Sequence, residues 1–389
     1  MTGRRFAAAL SEHPNAAVAT GDVVGRVLEG LGDLLRPPDL AMVFVTPTHA
    51  PQIEEIARTV QATLAPGALL GCAAVSVVGG DREVERGPAI SLWAGRTGPV
   101  TPFHLTVGAS PDGATFTGWP DVIPDDASAL LLIPDPFSFP TEDLLRRLET
   151  DRPGMPVVGG MASAARAPGG NRLVIDGAVV TEGAVGAFLG PDVDVTTVVS
   201  QGCRPVGHPL VVTRAEQTIV YELAGRSAVE RLQEVAAALP DDDRKLLAGL
   251  VQIGRVIDER KVDFGPGDFL VRNVVGADPN SGALRVADVV DVGSTAQFQV
   301  RDAVSADDDL RRMVGGCSAE AALIFTCNGR GTNLFPEPHH DASVVSDALD
   351  GGPVAGMFCA GELGPIGGRN FMHGFTASVV LLSLAPDAR

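Results

Sequence analysis

Toward its C-terminus the chain sets reactive and charged side chains among glycines. Thr326-Cys327-Asn328-Gly329-Arg330-Gly331 places a thiol, an amide and a guanidinium beside backbone that can approach a ligand closely. The run from Cys359 to Gly374 holds Glu362, Gly364, Gly367, Asn370 and His373 in similar company, and Gln297–Asp302 alternates as a strand before ending on Arg301-Asp302. A guanidinium clamps a carboxylate through two parallel hydrogen bonds, while an Asp or Glu accepts an ammonium group. Arg330 and Arg301 together with Glu362 and Asp302 therefore suit a ligand carrying both charges, as an amino acid does. The same residues also suit an internal ion-pair network.

Two other chemistries fit these residue types. Cys327, with His339, His340 or His373 as base and Asp341 as orienter, has the makings of a thiol-dependent enzyme. Cys327, His339, His340, Asp341, Cys359 and His373 are metal-ligand types, but their spacing matches no short zinc pattern, and no metal or other cofactor is expected. Asp341 is read as a helix cap. Gly79-Gly80-Asp81 reads as a tight turn. Cys72 and Cys317 read as small core residues.

The elements that must position these residues follow an alternating order. Ala16–Leu35 reads as a helix stopped at Arg36-Pro37-Pro38, Leu40–Thr46 as a buried strand, Gln52–Leu64 as a helix, and Ala68–Val78 and Pro88–Trp93 as strands. The unit recurs at Ala129–Ile133, Thr141–Leu148, Pro156–Gly160 and Ala184–Leu189. It recurs again at Ala321–Cys327, Asp341–Leu349, Pro353–Cys359 and Gly374–Leu382, with Gly361–Gly368 as a glycine-rich turn. First and second strands are about 27 to 33 residues apart in all three copies. Between the second and third copies, a hairpin about Asp176-Gly177, a second hairpin over residues 210–223 and two helices on either side of Pro240-Asp241-Asp242-Asp243 are expected. The fold class is α/β, with mixed sheets covered by helices and built from recurring strand-helix-strand-strand units. The Pro/Asp run divides the chain into domains at 1–240 and 241–389.

Composition excludes several function classes. The chain has 389 residues, enough for more than one core, and 30 basic against 48 acidic side chains leave a net charge of −18. Such a surface repels phosphate backbones and anionic lipid, so no nucleic-acid partner is expected. No stretch approaches the roughly 18 to 20 apolar residues of a membrane helix, so no membrane insertion is expected. Five scattered cysteines without a CxxC pair fit reduced thiols and a cytoplasmic location.

The same segments carry a resemblance. Ser200-Gln201-Gly202-Cys203-Arg204-Pro205-Val206-Gly207, with Val212-Thr213, resembles the N-terminal half of the FIST family. Gln297-Phe298, Arg301-Asp302-Ala303, Cys327–Gly331, Gly356–Pro365 and His373-Gly374-Phe375-Thr376-Ala377-Ser378 resemble its C-terminal half, in family order over roughly residues 20–385. Phe298-Gln299 stands where Phe-His is expected. The resemblance implies a pair of FIST N and FIST C domains that sense a small ligand, an amino acid or related polar metabolite. Many relatives are fused to signalling modules, and none is recognised here, so output through a separate signalling protein is expected. The ligand is expected to meet Arg301, Asp302, Cys327, Asn328, Gly329, Arg330, Gly331, Glu362, Gly364, Gly367, Asn370 and His373. A Cys327-dependent enzyme and a protein-interaction module without small ligand are the alternatives.

Overall fold

The runs Leu40–Val45, Ala129–Pro134 and Ala321–Cys327 are apolar at nearly every position because each is covered on both faces in the computed structural model of the chain. The structure describes residues 5–32, 36–110, 113–265 and 267–384. It divides into two compact units, one formed by Met1–Val199 with Leu310–Arg389 and the other by Ser200–Asp309. A single cut near residue 240 falls inside the second of these.

In chain order the first unit opens with strand β1 (Phe6–Ser11) and helix α1 (Ala16–Leu31). Next come β2 (Leu40–Val45), α2 (Ile53–Leu64), β3 (Ala68–Ala73), the hairpin β4 (Val77–Gly79) and β5 (Arg82–Val84), and β6 (Ile90–Gly95). After β7 (Val100–Ser110) and β8 (Gly113–Thr117) the order returns as β9 (Ala129–Pro134), α3 (Thr141–Asp151) and β10 (Val157–Gly160). The hairpin β11 (Leu173–Ile175) and β12 (Ala178–Val180), β13 (Ala184–Leu189) and β14 (Val193–Ser200) follow. The second unit contains β15 (Cys203–Glu216), β16 (Ile219–Leu223), β17 (Arg226–Ser227), α4 (Ala228–Ala238), α5 (Asp241–Gly249), β18 (Gln252–Val256), β19 (Phe269–Asp278), β20 (Ala283–Val286) and β21 (Thr295–Arg301). The unit boundary falls within α6 (Ala303–Val314). The third return is β22 (Ala321–Cys327), α7 (His340–Ala348), β23 (Val354–Cys359), the hairpin β24 (Glu362–Ile366) and β25 (Arg369–His373), and β26 (Ala377–Leu384).

The three copies build three sheets by one rule. In each, first and second strands run parallel (β2–β3, β9–β10, β22–β23), and a later strand returns antiparallel beside the first (β6, β13, β26). The hairpin after each second strand does not stay in its own sheet. β4–β5 of the first copy pairs with β23, β24–β25 of the third pairs with β10, and β11–β12 of the second pairs with β3. The exchange is cyclic, so every sheet is completed by a segment of another copy.

Alternate side chains of each sheet then divide between one shared core and an outer core beneath that sheet's helices. Leu40, Met42, Phe44, Leu131, Ile133, Leu323, Phe325 and Met357 from all three sheets meet in a shared interior. The opposite faces pack on helices: Val43 and Val45 meet residues of α1 and α2, Leu130 and Leu132 meet α3, and Ile324 meets α7. A glycine recurs at one place in each copy. A Cβ on Gly71, Gly159 or Gly356 would lie 1.8, 2.0 or 1.9 Å from the carbonyl oxygen of Val43, Leu132 or Ile324, the residue directly across the parallel pair.

Several expected boundaries differ from the structure. α1 stops at Gly32, which takes the left-handed φ of 70° that suits glycine, and residues 33–35 of the expected helix lie outside the described ones. Ala68–Val78 is two strands in two different sheets, because β4 leaves to pair with β23. Gly361–Gly368 is mostly strand, its turn confined to Gly367-Gly368 with φ of 60° and 79°. The second unit is an antiparallel sheet in which β15 pairs with both β21 and β16 and so closes it into a ring, with the short β17 added on β16. Val206, Val220, Ile253, Leu284 and Phe298 fill it.

Candidate functional site

Strand β22 ends at Cys327, and the chain turns at once, with the Arg330 N–H donating to the Cys327 carbonyl at 2.9 Å. The turn aims Arg330 inward. Its side chain is fully buried (0% exposed), as is that of Glu362 (0%). Arg330 Nε and Nη2 donate to Asp341 Oδ2 and Oδ1, each at 2.7 Å. Thr326 Oγ1 donates to the same carboxylate at 2.5 Å, and His340 Nδ1 lies 2.9 Å from Oδ1. Arg330 also lies over the Phe335 ring, which stacks on His340 at a centroid distance of 3.4 Å. Burial acts against the Arg330 charge, but Asp341 overcomes it and holds the guanidinium firmly protonated. Burial likewise opposes ionisation of Asp341, and Arg330 overcomes it, leaving a carboxylate far below its usual range.

Asp341 is therefore not a helix cap. The cap position of α7 is His339, in left-handed backbone at φ 71° and without a side-chain capping bond. The helix N-terminus is served by Glu83 instead, whose Oε1 accepts from the Ala342 N–H at 3.0 Å. Glu83 comes from the exchanged hairpin, 259 residues earlier in the chain. Burial first, and then the Asp341 charge, push its pKa up to about 8. Glu85 of the same segment accepts from the Thr332 N–H and hydroxyl at 2.9 and 2.7 Å.

Glu362 opens β24. Its Oε2 accepts from the Thr376 N–H at 3.1 Å and the Thr376 hydroxyl at 2.9 Å. Burial raises its pKa to about 8, against the pull of Thr376, Cys327 and Arg330 toward the ionised form. Among the described residues, Glu362 Oε1 and Arg330 Nη1 have no nitrogen or oxygen partner. The same holds for Asn328 Oδ1. An unmet buried polar group costs about 1–3 kcal/mol, more when charged, so these atoms favour a polar partner; Glu362 already has the Cys327 thiol as one.

The expected site residues separate into three groups. Cys327, Arg330 and Glu362 converge, each acting electrostatically on another of the three, and Asn328 lies on the same turn. Gly329 donates its N–H to Cys327 Sγ at 3.5 Å, and Gly331 takes the left-handed φ of 56° that the turn requires. His373 lies across the hairpin from Glu362, and its Nε2 lies 2.9 Å from the Gly364 carbonyl oxygen. Further along that hairpin, Gly367 is in the turn, and Asn370 fastens it to β10 by accepting from the Val157 N–H and donating to the Met155 carbonyl, each at 2.8 Å. Arg301 and Asp302 belong to the second unit. There Asp302 accepts from Arg204 Nε at 3.0 Å and from the Ser305 N–H at 2.8 Å, capping α6, while Arg204 also pairs with Asp243. Arg301 stands across from Cys203 in the β15–β21 ladder.

Of the imidazoles weighed as bases for Cys327, His339 Nδ1 accepts from the Glu83 N–H at 3.0 Å, His340 is bound to Asp341, and His373 to Gly364. Among the described residues no cluster of three or more His, Cys, Asp or Glu is placed to hold a metal, and no helix is long and apolar enough to cross a membrane. Sequence reasoning missed Glu83, Glu85, Thr326, Thr376 and Phe335. For Glu83 and Glu85 the only signal was the tight turn at Gly79-Gly80-Asp81, and no local pattern reveals where the strands beside it pair.

The chain matches the family models of the FIST N domain over residues 39–226 and the FIST C domain over residues 228–365. It is 42% identical over 384 residues to "Uncharacterized protein MT0656" of Mycobacterium tuberculosis (strain CDC 1551 / Oshkosh), covering 97% of this chain and 99% of that protein. It is 41% identical over 375 residues to "Uncharacterized protein Mb0898c" of Mycobacterium bovis (strain ATCC BAA-935 / AF2122/97), covering 95% and 96%.

Proposed function

The chain belongs to the FIST family, whose domains are associated with sensory and signal-transduction roles, and on that premise we propose that it binds a small amino-acid-like metabolite at Arg330 and Glu362. The observation that carries this reading is the buried pair Arg330 Nη1 and Glu362 Oε1, neither of which has a nitrogen or oxygen partner among the described residues. A ligand carboxylate completes the first, and its ammonium group the second. Asp341 takes the other two guanidinium donors and so fixes the orientation of the third. Asn328 Oδ1 offers a further acceptor. Because both groups are buried, entry requires the 328–333 turn to yield, and binding favours one conformer over another, which is how a sensor reports occupancy. The output passes to a separate signalling protein. The protein acts in the cytoplasm, a setting its five free thiols suit.

The charge of Glu362 gives the reading a second handle. Its carboxyl is largely protonated below about pH 8, whereas an arriving ammonium favours the ionised form. Binding therefore releases a proton, and affinity should rise by up to about tenfold per pH unit below that pKa, then level off. Calorimetric titration in two buffers of different ionisation heat measures the release directly; a heat independent of the buffer would remove Glu362 from the site.

The primary test is a thermal-shift screen of the full chain against amino acids and small carboxylates, with Glu362→Gln in parallel. Ligand at ~100 times its dissociation constant adds about 2.7 kcal/mol. A shift in the wild type that is lost in Glu362→Gln supports the site. A shift that Glu362→Gln keeps in full places the ligand elsewhere, and no shift with any compound overturns the reading in favour of a protein-interaction module. Arg330→Ala is a poor probe, because it strands the buried Asp341 carboxylate.

A further inference from the structure

Cys327 and Cys359 end the parallel strands β22 and β23 directly across from each other in the ladder, after the pairs Leu323–Ala355 and Phe325–Met357. Leu323, Phe325, Ala355, Met357 and Cys359 all face the shared interior, and Cys327 continues that alternation, so both thiols project from the same side of the sheet. Neighbouring strands lie about 4.8 Å apart, within the roughly 4.4–6.8 Å of Cα separation that a disulfide spans. The two thiols are unlike in access: Cys327 is partly exposed and Cys359 is fully buried. Cys327 Sγ accepts from the Gly329 N–H and lies within electrostatic reach of the Arg330 guanidinium, which favours a thiolate, and of Glu362, whose carboxyl it hydrogen-bonds. Cys359 Sγ lies over the backbone of Gly160, where a Cβ would stand only 2.2 Å from it, so the absence of a side chain there leaves the sulfur its room.

The geometry points to a two-cysteine oxidation site, in which Cys327 is oxidised by a hydroperoxide and Cys359 resolves the product to an intrachain disulfide. The Cys327 thiolate attacks the outer peroxide oxygen. An S–O bond forms, the O–O bond breaks, and the proton given up by the Cys327 thiol joins the leaving oxygen, which departs as water or an alcohol, with the sulfur oxidised by two electrons to a sulfenic acid and the peroxide reduced by two. The Cys359 sulfur then attacks Cys327 sulfur; the S–S bond forms, the S–O bond breaks, and the Cys359 proton leaves with the hydroxide as water. A dithiol reductant reverses the bond by exchange. Cys327 lies beside Arg330 and Glu362, but the readout is a covalent bond and so stands or falls apart from the ligand reading.

The test treats the reduced full chain with hydrogen peroxide, blocks remaining thiols under denaturing conditions, and maps tryptic peptides without reduction. Cleavage at Arg312, Arg330 and Arg369 puts Cys327 in peptide 313–330 and Cys359 in peptide 331–369. The expected result is one cross-link between these peptides, with free thiols falling from five to three and returning to five with dithiothreitol. The link should persist in Cys317→Ala, which removes the other cysteine of the first peptide, and vanish in Cys327→Ser. In Cys359→Ser, whose fold is verified by circular dichroism, Cys327 should instead proceed to sulfinic acid. A cross-link through Cys72 or Cys317, or oxidation of Cys327 with Cys359 still free, overturns the proposal; so does a chain that keeps all five thiols.

Discussion

At Glu362 and Glu83 the protein holds two carboxyl groups whose pKa values burial raises to about 8, while Asp341 between the same elements stays ionised against Arg330. Each raised group binds a proton in the folded state that the unfolded chain releases above its ordinary pKa of 4.5. Their contribution to stability is complete below pH 4.5, declines as pH rises, and is lost beyond about pH 8. Melting temperatures measured from pH 5 to 9 should fall through that window, and the slope should be shallower in Glu362→Gln; equal slopes would show that Glu362 ionises normally. The Arg330–Asp341 pair poses a different question. Removing one member of a fully buried pair leaves the other charge uncompensated, so Asp341→Ala should cost about 3–5 kcal/mol in urea unfolding. A loss below about 1 kcal/mol, the value of an exposed pair, would mean that water reaches Arg330.

Elements repeat here as arrangements rather than as sequences. Gly71, Gly159 and Gly356 occupy the same place on β3, β10 and β23, and each lets a carbonyl of the neighbouring strand come where a Cβ would be. Gly71→Ala and Gly356→Ala must displace backbone and should each destabilise by about 1–3 kcal/mol or more. Gly25→Ala on α1, where the added Cβ meets nothing within 4 Å, is the control and should stabilise by roughly 0.5–1 kcal/mol. Equal responses in core and helix would mean that the strands can separate to admit the methyl group. Such glycines were visible in the sequence as punctuation, and their meaning lay in the pairing. The strands themselves were legible: β2, β9 and β22 are buried on both faces, and their unbroken apolar runs announce it. The hairpin β11–β12 was legible through its Asp176-Gly177 turn, but β4–β5 was not, because its three-residue strands carry too little periodicity to distinguish them from the end of β3.

Across the whole molecule, the cyclic exchange of hairpins ties the beginning of the chain to its end. β10 takes its outer neighbour from β24, and β4–β5 has no sheet without β23. A fragment of residues 1–199, although it holds two of the three copies, should therefore fail to fold cooperatively. Far-UV circular dichroism and a denaturation curve test this, and a sharp two-state transition in the fragment would contradict it. The sequence by itself determined the alternation of helices and strands, the three-fold recurrence and the loops in which chemistry concentrates. Each of these rests on local spacing and residue type, which neighbouring residues along the chain can express. Only the tertiary structure decided that Asp341 holds Arg330 rather than capping its own helix, and that Glu83 arrives from a hairpin near the start of the chain to serve that helix instead. It also decided that Cys327 and Cys359 stand side by side. Those facts depend on which strand pairs with which, and a hairpin that joins its own sheet or a distant one has the same local pattern either way.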